Sequence, residues 1–176
     1  MTFRFILALL AMAGAADGAR AEASVLPPPK TLAAAMKQAD CNRKVEQVIN
    51  DAHIEDLGGG YTLAKVLCWM GPYQASDLLV LTGPSTKGVP RVLVFHDWVD
   101  GKFEPTLAVM MADYDAPTKK LTSFSKGRGS GDCGTAGEWL WTGSEFKMSG
   151  FWSKPDCDGG EFERSERYQV FPPRKK

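Results

Sequence analysis

From Tyr61 onward the chain is a ladder of short apolar runs cut by turn residues, and this restricts the folds open to it more than any other feature. "YTLAKVLCW", "DLLVLTG", "RVLVFHDW", "TLAVMMADY", "KLTSFSK", "EWLWTG", "EFKMSGFW" and "RYQVF" all have strand length. Between them stand "GP", "GPSTKGVP", "DG", "DAPTK", "TGS" and "KPDCDGG", each rich in residues that break regular structure. Many short strands at this spacing predict a mainly antiparallel β-sandwich or partly closed barrel, not a βαβ architecture. Two turns can be assigned by type. Asp100-Gly101 suits a type I′ turn and sets Trp98 opposite Phe103. Gly143-Ser144 suits a type II′ turn and sets Trp141 opposite Phe146 and Trp139 opposite Met148, with Leu140 and Lys147 on the other face.

The N-terminal part reads differently. Residues 22–30 carry three consecutive prolines and are expected to run extended on the surface. Thr31 can cap a short helix with Leu32, Ala35 and Met36 along one stripe. "KVEQVINDAHIEDL" fits a helix through Val45, Val48 and Ile49, and its second half fits a strand entering a turn equally well. Residues 31–171 are thus expected to form a single β-rich domain with a short N-terminal helix, followed by a basic tail, 172–176.

Residues 1–21 have the order of a secretory signal peptide: Arg4, an apolar run from Phe5 to Ala16, and an Ala19-Arg20-Ala21 cleavage signature. The run falls short of the roughly 20 apolar residues of a membrane-spanning helix. A periplasmic or secreted protein is therefore expected, with no membrane insertion after cleavage. Removing residues 1–21 takes away Arg4, Arg20 and Asp17, leaving 19 of 21 basic and 20 of 21 acidic side chains. Such a near-neutral chain argues against nucleic acid or an anionic membrane as partner.

Export decides how the cysteines are read. Four remain, Cys41, Cys68, Cys133 and Cys157, and an even count in an oxidising compartment predicts two disulfides. Extending the hairpin register outward from Gly143-Ser144 brings Cys133 opposite Lys154, three residues from Cys157. This favours Cys133–Cys157 and leaves Cys41 to Cys68. No close cysteine pair of the metal-binding kind is present, and no metal or cofactor is expected.

The stretch "KGRGSGDCG" contains G-x-G-x-x-G at Gly129, Gly131 and Gly134, but "TAGEWLWTG" after it is a poor helix and no second βαβ pattern follows. A dinucleotide cradle needs both, so the glycines are read as a tight connection between two strands. Lys126, Arg128 and Asp132 make this loop the candidate binding loop; the plainer alternative is that Arg128 and Asp132 pair with each other. Trp139, Trp141 and Trp152 form a candidate aromatic face.

The run "YDAPTKKLTSFSKGRGSGDCG", with an aromatic strand and a cysteine after it, resembles the bacterial exported family known as domain of unknown function 1176. "LPPPKTLAAAMKQADC" and "TLAKVLCWMGPYQASDLLVL" extend the resemblance over most of the chain. The family often reads G-A-Y-N after the second cysteine, where this chain has Gly71-Pro72-Tyr73-Gln74. The resemblance implies export, paired cysteines and a small β-rich domain, and no activity.

Catalytic sets are sparse. His53 and His96 stand alone, with no G-x-S-x-G elbow. Asp156, Asp158, Glu161 and Glu163 crowd a glycine-bearing loop without the calcium-loop spacing. The leading expectation is an exported, disulfide-stabilised, non-enzymatic binding module, an inhibitor being one form of it, for an unknown protein or cell-envelope component. The alternatives are an exported hydrolase using carboxylates and a calcium-dependent structural envelope protein.

Overall fold

A computed structural model describes residues 24–173. The leader expected at 1–21 and most of the basic tail lie outside them. Two helices, α1 (Pro29–Gln38) and α2 (Val45–Asn50), precede twelve strands: β1 (His53–Gly58), β2 (Tyr61–Met70), β3 (Ala75–Thr82), β4 (Arg91–Val92), β5 (Phe95–Val99), β6 (Lys102–Thr106), β7 (Ala108–Met110), β8 (Asp113–Asp115), β9 (Lys120–Lys126), β10 (Gly134–Trp141), β11 (Phe146–Lys154) and β12 (Gln169–Phe171). Helix α1 begins two residues before the expected cap. Pro28 occupies the N-cap and Pro29 the first helical position, where a missing N–H costs nothing and the fixed φ already suits a helix.

Every strand pairing is antiparallel. One sheet runs β1-β2-β3-β4, with β7 also on β3; the second runs β12-β11-β10-β9-β8; β5 and β6 form a separate ribbon. The strands do not close into a barrel. The first sheet is buried on both faces. Leu63, Leu79 and Leu81 pack towards the second sheet against Leu121, Trp139, Trp141 and Phe151. Ala64, Val66, Cys68, Leu78 and Val80 pack the other way, against Leu32, Met36 and Val48 of the helices. That double burial is why "LLVL" reads as an unbroken apolar run instead of alternating.

The stretch "KVEQVINDAHIEDL" resolves into both of its readings, α2 and then β1. Asp100 and Gly101 both have positive φ, and Trp98 pairs with Phe103. Trp141 pairs with Phe146 and Trp139 with Met148, as the turn at Gly143-Ser144 requires. Beyond them Ser149 makes a bulge, so that Gly134, not Cys133, lies opposite Lys154. The shift leaves the pairing intact: the disulfides are Cys41–Cys68 and Cys133–Cys157. Among the described residues no helix is long and apolar enough to cross a membrane.

Candidate functional site

Two places stand out, a knot of three loops and a groove. The knot begins at the "KGRGSGDCG" loop, which connects β9 to the antiparallel β10. Its centre is Asp132, buried although charged. The carboxylate accepts hydrogen bonds from Arg128 Nε at 2.7 Å and from Arg128 Nη2, from Ser130 Oγ at 2.6 Å, and from the Gly159 N–H at 2.7 Å. A buried carboxylate is tolerated only when so many donors replace water. The last bond ties in a second loop, 155–160, already joined by Cys133–Cys157. Lys154, almost wholly buried, completes the tie by donating to Asp158 Oδ1 and the Gly160 carbonyl, each at 2.7 Å. The third loop is Gly71–Gln74: Gln74 Oε1 accepts from the Lys126 N–H at 2.9 Å. The position where the family often carries asparagine thus holds the base of the glycine loop.

The Arg128 bond first, then the Ser130 bond, hold the Asp132 carboxyl well below the usual carboxylate range. A depressed folded-state value means the stabilisation is complete above the unfolded value, about 3.9, and is lost as pH falls towards the folded one. The Asp132→Asn protein should melt below the wild type at neutral pH. The gap should narrow as pH drops below about 4. Thermal melts across that range check this, and parallel acid limbs would show that Asp132 is not the titrating latch.

Arg128 is half-exposed and paired with Asp132 within its own loop. Asp158 of the acidic loop accepts from Lys154 through Oδ1, and among the described residues no three His, Cys, Asp or Glu side chains gather to hold a metal. His53 is exposed and bonded to Glu55 at 2.7 Å. Asp77, half-buried on β3, has a raised carboxyl value, chiefly from desolvation and opposed by Lys65. Its cross-strand partners are Leu67 and Val109, so the register gives it no second acid.

The three tryptophans do not share a face. Trp141 is core, edge-on to Tyr61 at 5.1 Å. Trp152 lies on the outer side of the second sheet, with the Arg164 guanidinium 5.8 Å from its ring. Trp139 forms part of the floor of the groove, a feature that the sequence reading missed. This groove, about 380 Å3, opens where Arg91–His96 crosses from the first sheet to the β5–β6 ribbon, beside the tip of the β10–β11 hairpin. Phe95, Trp139, Phe146 and Met148 make its apolar part and Arg91, His96 and Glu145 its polar edge. Phe95 meets Trp139 edge-on at 5.1 Å and Phe146 at 6.4 Å, which fixes the aromatic wall. A polar niche of about 20 Å3, room for one water, adjoins the same wall and is lined by Asp97, Ser123, Ser125 and Thr135.

No solved structure matches the chain. The uncharacterized protein YpfG of Escherichia coli (strain K12) is 26% identical over 109 residues, covering 61% of this chain and 31% of that protein. The match thus spans under a third of that relative's length. The knot joins the segments in which the sequence resemblance was densest, and residues 8–169 match the model of one family: the chain belongs to the protein of unknown function (DUF1176) family.

Proposed function

We propose that the protein is an exported binding module whose ligand site is the groove walled by Phe95, Trp139, Phe146 and Met148. The observation that carries this is a concave, aromatic-walled space of about 380 Å3 beside a well-packed core. That volume lies in the range of small-molecule sites, and an apolar wall with a few polar groups at one edge is their usual make-up. The leader and the two disulfides support the export half of the reading. A concave groove suits the capture of a ligand better than the projecting loop of an inhibitor. The charged glycine loop, 126–132, is held down by its own bonds.

Protein recovered from a periplasmic fraction should begin at Glu22 by intact mass, and should bind members of a small aromatic fragment set. Amide NMR shifts should concentrate at His96, Phe146 and Met148, and Met148→Trp, which fills the groove, should abolish them. Fragments that still bind the filled variant, or shifts centred on Tyr73 and Arg128, would move the site to the knot.

A further inference from the structure

We infer that the groove selects small molecules with an apolar, planar body and a single anionic head, anchored by Arg91; this rests on the groove being the ligand site. The charges at its edge are unequal. Glu145 has Lys147 Nζ at 3.2 Å, an exposed pair that offsets part of its charge from within the hairpin. Arg91 makes no ion pair or side-chain hydrogen bond with the described residues, although its side chain lines the groove. His96, the third polar edge residue, is also without such a partner. The edge therefore offers an unanswered guanidinium fork, which matches a carboxylate or sulfonate in two parallel hydrogen bonds. A cationic head would meet Arg91 with like charge, and a neutral one would leave the fork to water.

The body follows from the wall. Phe95, Trp139 and Phe146 are mutually tilted or edge-on, an arrangement that receives another ring edge-on or offset. Met148 adds a polarizable thioether that adapts to ring edges of varied shape. The fixed element is thus aromatic and the adaptable one aliphatic, which fits a class of flat ligands better than one extended chain.

A matched series separates the two levels of the argument. 2-Naphthoate, 2-naphthylmethanol and 2-naphthylmethylamine share one body and differ in head. Calorimetry should find the carboxylate about tenfold tighter than the alcohol, the scale of a charge-assisted hydrogen bond at a partly exposed site, with the amine weakest. Arg91→Gln should bring carboxylate and alcohol to nearly equal affinity, chiefly by weakening the carboxylate; Arg91 is exposed, so folding is not at risk. Raised salt should weaken the carboxylate alone. Equal binding of carboxylate and alcohol by the wild type, or a preference that survives Arg91→Gln, would overturn the anionic class and leave the groove as the site. Failure of all three to bind at millimolar concentration would overturn the groove itself, and this inference with it.

Discussion

Gly134→Ala should destabilise the protein by about 4 kcal/mol or more, enough to leave little folded material at 37 °C. Gly134 begins β10 with φ +138°, a backbone conformation that a side chain strains. A Cβ there would also lie 2.0 Å from the Ser125 carbonyl oxygen, an atom of the neighbouring strand that cannot rotate aside. Relief would require parting β9 from β10 at the pair Gly134–Lys126, and with it the loop that positions Asp132. Gly129 of the same glycine pattern provides the control. Its Cβ would meet only the Tyr73 ring, no nearer than 3.7 Å, an ordinary contact. Gly129→Ala should therefore stay within about 0.5 kcal/mol of the wild type. Urea unfolding of the two variants decides the matter: similar midpoints would mean that Gly134 does not carry the close strand approach. Of the glycines that spell a nucleotide fingerprint, the last is thus required by strand packing, while Gly129 is nearly free.

How far the sequence could be read depended on how local each determinant is. The turns at Asp100-Gly101 and Gly143-Ser144 are settled by two adjacent residues, so their registers were legible, and the Cys133–Cys157 pairing followed from one of them. The Ser149 bulge was not legible, because Phe151 and Trp152 beyond it are both aromatic and fit either parity of the alternation. The same bulge turns Trp152 to the other side of the sheet, so Trp139, Trp141 and Trp152 looked like one face in the unbulged register. A local signal was nevertheless present. Trp139 lies over Gly137, Trp152 over Gly150 and Trp69 over Gly71, each ring on the bare backbone two residues away. A glycine two positions from a tryptophan thus marks where the outer edge of the ring reaches the bare backbone. The groove had no such signal: Arg91 to His96 and Glu145 to Met148 meet only through the sheet packing. Buried Lys154 was hidden in the same way, since its partners Asp158 and Gly160 read as part of a solvated acidic loop.

Removing either disulfide should be costly, and Cys41–Cys68 should be the costlier. The two bridges close loops of nearly equal length, with separations of 27 and 24 residues. Chain entropy alone therefore assigns each about 3.5 kcal/mol. The difference lies in the folded state. Cys68 is fully buried in the layer between the first sheet and the helices, so replacing both cysteines by alanine there also removes packed sulfur, adding roughly 1–2 kcal/mol for the space left behind. Cys133 is buried much as Cys68 is, but its partner Cys157 is exposed where Cys41 is half-buried, and the loops that they join keep the Asp132–Gly159 and Lys154–Asp158 bonds when the bridge is gone. The Cys133→Ala/Cys157→Ala protein should thus lose the entropic amount and the packing of one buried sulfur, with its loops still tied by those bonds. The Cys41→Ala/Cys68→Ala protein should lose more, with early hydrogen exchange in α1 and α2, whose layer would be held by apolar contacts and the Asn42–Cys68 backbone bond. Urea unfolding of both variants gives the order. A larger loss for the Cys133–Cys157 pair would mean that the knot depends on its bridge, and that the charged bonds around Asp132 form only because the disulfide brings their loops together. Adding Asp132→Asn to that variant then distinguishes independent ties from a single cooperative one, since independent ties give additive losses.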